Sequence, residues 1–163
     1  MPARVHGFSV LRSLGFCGFA VSALWVGSVL LSSTLAAAGG PVYVDDGYAI
    51  EGYDPVAYFT EERPVEGQSE FEAEWNGATW RFASAENRER FVEDPEAYAP
   101  AYGGFCAWAV AERGELYSVD PHAWKIVDGT LYLNFNQDIQ RRWERDIPGF
   151  IRAADAKWPD LRE

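Results

Sequence analysis

Two dipeptides limit what this chain can fold into more than any other feature. Asn76-Gly77 and Asp128-Gly129 each separate two apolar runs. Asn-Gly and Asp-Gly are the strongest short signals for a two-residue β-hairpin, because a type I′ turn needs positive φ at both central residues. The turns lie 52 residues apart (128 − 76). At the same offset Ser84 meets Asn136, each read as a helix N-cap, and Phe91 meets Trp143, each an apolar anchor on the helix that follows. The chain therefore reads as two copies of one design, a hairpin and then a helix.

The first hairpin pairs Phe71, Ala73 and Trp75, alternating with Glu72 and Glu74, with a return strand over 78–83 that carries Trp80 and Phe82 on one face. The second pairs 124–127 with 130–135. Val42, Tyr43 and Val44 add a possible edge strand, and Asp54-Pro55 caps a short helix over 55–59. Residues 60–69, with Pro64 and Gly67, read as a surface loop. Phe91 and Val92 are expected to face inward, and Asp94-Pro95 restarts the helix to about Tyr98. Residues 106–111 fit a helix or a strand. A helix over 137–146 is broken by Pro148-Gly149, and a last one runs from Phe150 to Trp158-Pro159. The class is α+β: a small antiparallel sheet built from two β-hairpin–helix units, with additional short helices. Cys106 falls in the connector between the units, where Tyr102-Gly103-Gly104 lets the backbone turn sharply and approach something closely.

Residues 1–40 contain no acid, only Arg4, Arg12 and His6. An apolar run from Phe16 to Leu31 leads to Ala36-Ala37-Ala38, the pattern of a secretory signal peptide cut after Ala38. The run is a little short of the roughly 20 residues of a spanning helix, so an uncleaved anchor is the alternative. The expected organisation is a leader over 1–38 and one domain over 39–163, periplasmic or extracellular. All 25 acidic residues and 12 of the 14 basic ones lie in that domain, a net charge of −13 that disfavours nucleic acid and anionic lipid. With Cys17 in the leader, Cys106 is the domain's lone thiol. In an oxidising compartment such a thiol is buried, liganded or reactive.

Gly52-Tyr53-Asp54-Pro55-Val56, Asn76-Gly77, Phe82-Ala83-Ser84, Phe91 through Asp94-Pro95 and Tyr98, and Tyr102-Gly103-Gly104 occur in that order. Together they resemble the YHS domain family, and most closely its exported single-domain members, the YHS (seleno)protein type, over roughly 49–158. Metal-associated YHS modules, found beside copper and heavy-metal pumps, carry one cysteine after the Asp-Pro-Val motif and two in and just after the Phe-x-Ser motif. Here those places hold Ala57, Ala83 and Asn87. That metal site therefore does not carry over.

Other residues would have to build any site. Cys106 and His122 are the domain's only soft donors, and copper or zinc favours thiolate and imidazole. Asp120 and Asp54 are the candidates to complete such a metal centre. A second chemistry uses Cys106 as a redox thiol with His122 as its base; the absence of a Cys-x-x-Cys requires an external resolving thiol. The third reading is a packed core cysteine beside a surface histidine. The abundant aromatics fall mostly at core periods, and some could line a small-ligand pocket near Cys106. The sequence thus points to an exported binding module for a metal such as copper, or for a small ligand, at a site near Cys106, and not to an enzyme. A thiol redox protein and an adaptor docking on an envelope protein partner are the alternatives.

Overall fold

The computed structural model describes residues 40–163, so the expected leader lies outside the described residues. In chain order the first elements are β1 (Val44–Asp45), β2 (Tyr48–Ala49), α1 (Ala57–Thr60), β3 (Gln68–Trp75), β4 (Ala78–Phe82), α2 (Ala85–Glu93) and α3 (Pro95–Tyr98). They are followed by α4 (Ala107–Arg113), β5 (Asp120–Val127), β6 (Thr130–Asn134), α5 (Gln137–Trp143) and α6 (Ile147–Leu161). The class is α+β, as expected.

Both hairpin turns form as their sequences require. Asn76 and Gly77 have φ of 51° and 75°, Asp128 and Gly129 of 49° and 80°. Ser84 Oγ accepts from Asn87 N (3.2 Å) and Asn136 Oδ1 from Ile139 N (2.9 Å), so both helix caps are real. The 52-residue offset extends well beyond these features. Strands β3 and β4 map onto β5 and β6 end for end, and the pairing irregularity between Gln68 and Glu72 recurs between Asp120 and Trp124. Ile50, Glu51, Gly52 and Glu62 have positive φ, and so do their counterparts Tyr102, Gly103, Gly104 and Gly114. Two copies of one unit, 50–93 and 102–145, thus match at a constant offset with no insertion inside either, and residues 94–101 lie between them. Identical residues are confined to Gly52 and Gly104, Ala57 and Ala109, Gly77 and Gly129, and Arg90 and Arg142. Backbone conformation has been kept where side chains have not.

Each unit has its own core. Ile50, Tyr58, Trp80 and Phe91 belong to one buried cluster, and their counterparts Tyr102, Val110, Tyr132 and Trp143 to the other. Trp80 lies 5.1 Å from Phe91 at 34°, and Tyr132 lies 5.3 Å from Trp143 at 36°. Cys106, Ala109, Val119, Leu131 and Leu133 of the second unit also join the first cluster, which fastens the units together. The second core is covered by α6, with Ala154 buried and Ile151 and Trp158 packed against it.

Several expectations change in detail. The strands form two sheets: β1-β2-β4-β3, and β5-β6 alone. The first is mixed, because Tyr48 pairs with Thr79 in parallel. The edge strand is Val44–Asp45, and β3 starts at Gln68, inside the expected loop, because the bulge lets pairing resume beyond it. Val92 is 57 % exposed, since one residue beyond Phe91 is about 100° round the helix. Pro148 lies in the first turn of α6, which is capped by Asp146 Oδ1 accepting from Gly149 N (3.0 Å). The helix continues through Pro159 to Leu161, where packing of Trp158 and Leu161 on the second core outweighs the local cost of proline. Residues 106–111 contribute to a helix, not a strand.

The close approach expected at Gly103 is to the chain's own segment 40–43. Gly103 O accepts from Tyr43 N (2.8 Å), and a side chain at Gly103 would overlap Pro41 O. At Gly129, also left-handed, nothing lies within 4 Å of such an atom. Gly129→Ala should therefore lose only the roughly 1–2 kcal/mol of left-handed strain, and Gly103→Ala distinctly more. Urea unfolding of the two variants checks this; equal losses would show that segment 40–43 is not seated as described.

Candidate functional site

Asp54 has no exposed surface and follows a stretch of left-handed backbone that turns it inward. Its Oδ1 accepts from Val56 N (2.8 Å) and Ala57 N (3.3 Å), the opening amides of α1. Its Oδ2 accepts from Ala83 N (2.8 Å), at the end of β4, and from Asn87 Nδ2 (2.7 Å), on α2. One carboxylate thus ties together a helix start, a strand end and a second helix. Ala57, Ala83 and Asn87 are also the three places where metal-associated YHS modules would carry cysteine. They converge here on one point, but none supplies a metal donor, and the carboxylate is fully engaged. The residues present do not fit that metal.

Cys106 is the counterpart of Asp54 in the second unit (54 + 52). It is therefore not a connector residue but the one that opens the unit's first helix, α4. Its Sγ accepts from Phe135 N (3.3 Å), the counterpart of Ala83 N, and its own N–H donates to Tyr117 O (3.1 Å) as Asp54 N does to Val65 O (2.8 Å). Burial pushes the thiol up, only partly offset by the N–H groups of Ala109, Phe135 and Trp108. The thiol is therefore neutral at physiological pH. Asn134, fully buried, stands beside it: Oδ1 lies 3.9 Å from Sγ and accepts from Trp108 N (3.3 Å).

The two units differ in what fills the space next to this residue. In the first, Asn87 reaches in and bonds Asp54. In the second the counterpart is Ile139, which makes no such bond, and a cavity of about 240 Å³ opens against Cys106. Fully buried Cys106 and Ala109 form its floor, half-buried Trp108, Tyr117 and Ile139 its sides, and exposed Phe135 and Arg113 its rim. The lining is predominantly apolar.

His122 lies elsewhere in the contact network. It is exposed, with Nε2 3.4 Å from Tyr53 Oη and its ring edge-on to Tyr53 at 5.7 Å. Asp120 Oδ1 accepts from His122 N (2.8 Å), which holds the bend before β5 pairs fully. Glu66 Oε1 also accepts from Tyr53 Oη (3.4 Å), and Glu51 Oε1 from Tyr43 Oη (3.1 Å). Burial, then the Glu51 charge, pushes the Tyr43 hydroxyl up to about 12. Among the described residues no hydrogen bond or ring contact is common to Cys106 and His122, and Asp54 is committed to its four donors. Among the described residues no group of three or more His, Cys, Asp or Glu is placed to hold a metal ion. Trp108, Arg113, Tyr117, Phe135 and Ile139 were not singled out as a site in the sequence. The signal that could have found most of them is the 52-residue offset carried back to Asp54.

A tandem α+β domain with a buried acceptor opening each unit is the class that fold and site define. Residues 56–102 match the family model of the YHS domain. The chain contains a YHS domain, and the match spans most of the first unit and ends where the second begins. No curated protein and no solved structure matches the chain.

Removing the Asp54 carboxylate orphans four donors, each costing about 1–3 kcal/mol when buried unmet. Asp54→Ala should cost at least about 3 kcal/mol, and Asp54→Asn at least about 2 kcal/mol, since its amide would point a donor at two others. Both should lower the urea midpoint without changing the slope. An unmoved midpoint would show the hub to be dispensable.

Proposed function

We propose that this chain is an exported binding module, not an enzyme, and that it takes a small apolar ligand in the cavity floored by Cys106. The observation that carries this is the difference between two otherwise matching units. Where the first is plugged by Asn87 on Asp54, the second leaves about 240 Å³ of apolar-lined space. Ligand sites are usually concave and apolar with a few placed polar groups. A neutral thiol with one N–H donated to its sulfur suits an uncharged ligand surface better than a metal ion, which needs a thiolate and further donors. The lining offers none besides the sulfur and the phenol of Tyr117. The family's link to copper supports metal handling as the competing reading.

The test is titration of the purified protein with toluene. Amide signals of Trp108, Ala109 and Phe135 should shift saturably. Absence of that shift would remove the ligand reading. Stoichiometric copper or zinc that is lost in Cys106→Ser would replace it with the metal one.

Export rests on the acid-free, apolar, alanine-terminated leader. The protein isolated from its natural source should begin at Gly39 by mass. A retained amino terminus in the membrane fraction would establish the anchor alternative. Among the described residues no helix is long and apolar enough to cross a membrane.

A further inference from the structure

We propose that the ligand of the Cys106 cavity is a small amphipathic carboxylate, its apolar body inside and its carboxylate on Arg113 at the rim. This rests on the reading of the cavity as a ligand site and adds the ligand's charge and size.

The charge comes from Arg113. In a domain with a large excess of acids, its guanidinium makes no salt bridge among the described residues. It is nonetheless held in place. Nη1 donates to Tyr117 Oη (2.8 Å), and the guanidinium carbon lies 5.4 Å from the Tyr117 ring centre and 5.8 Å from that of Trp108. Both aromatics line the cavity, so the cation is braced against its sides. The remaining N–H groups form a planar fork suited to a carboxylate. The counterpart position in the first unit is Glu61, which pairs with Arg63. The second unit therefore has a cation without a carboxylate where the first has an acid already neutralised.

The size comes from the cavity. At roughly 30 Å³ for a water-sized group, a volume of about 240 Å³ holds about eight such groups. A single aromatic ring or a short branched chain fits, and a long acyl chain does not. The wall chemistry agrees: the indole of Trp108, the side chains of Phe135 and Ile139 and the methyl of Ala109 offer apolar contact, while the neutral Cys106 thiol adds no charge to repel the acid.

Benzoate and benzamide share a shape and differ in charge, which makes them the discriminating probes at neutral pH. Benzoate should bind about two- to fivefold more tightly, the weight of one exposed charge pair. Arg113→Gln, at an exposed position, should abolish the preference, so that benzoate and benzamide bind with equal affinity. Added salt should weaken benzoate only. Equal affinity of the two probes in the wild-type protein, or a benzoate preference that survives Arg113→Gln, would overturn the proposal. If toluene and benzamide still shift the Trp108, Ala109 and Phe135 amides in either case, the cavity remains a ligand site and only the carboxylate is wrong. If no probe shifts them, both readings fall together.

Discussion

Four donors meeting on one buried carboxylate hold the first half of this molecule in register. Asp54 takes the opening amides of α1, the amide that ends β4 and the side chain of Asn87 on α2. Those groups belong to segments that would otherwise carry unmet polar atoms into the core, where each is costly. Satisfying them together fixes the angle at which the helix leaves the sheet, and so where Trp80, Phe82 and Phe91 meet. The left-handed backbone at Ile50, Glu51 and Gly52 aims the carboxylate inward. That conformation is costly for a β-branched residue such as Ile50. It persists because the hub and the packing of Ile50 in the core over-determine it.

The same frame appears in the second unit with its chemistry changed. Cys106 stands for Asp54, Phe135 for Ala83 and Ile139 for Asn87, while the backbone donor and the strand register stay in place. A neutral thiol is a weaker acceptor than a carboxylate, so this half leans more on packing. Tyr132 against Trp143 and the long helix α6 supply it.

Much of the fold was legible because it rests on local chemistry. Asn-Gly and Asp-Gly turns, Ser84 and Asn136 as caps, and the alternation about Trp80 act within a few residues of themselves. The parallel pairing of Tyr48 with Thr79 and the passage of α6 through Pro159 depend on distant packing, and no local pattern announces them. The site was legible only in part. Cys106 stood out as the lone thiol, but its place in the second unit became visible only when the offset was carried back to Asp54. Asp54 read as a metal candidate because an acid in sequence carries no sign that backbone amides will claim it. Arg113 had no signal at all, since what distinguishes it is the two aromatic walls that folding brings together beside it.

The near-equivalence of the halves gives the molecule latitude that a single unit would lack. In a lone copy, exchanging the plug for an open space would loosen the only fastening available. Here Leu131 and Leu133 anchor the second unit in the core of the first. One half can stay locked while the other diverges, so that rigidity and receptivity reside in different copies of the same architecture. The exposed rim residues Arg113 and Phe135 can therefore be varied for affinity with little loss to the scaffold, whereas the buried groups around Asp54 cannot.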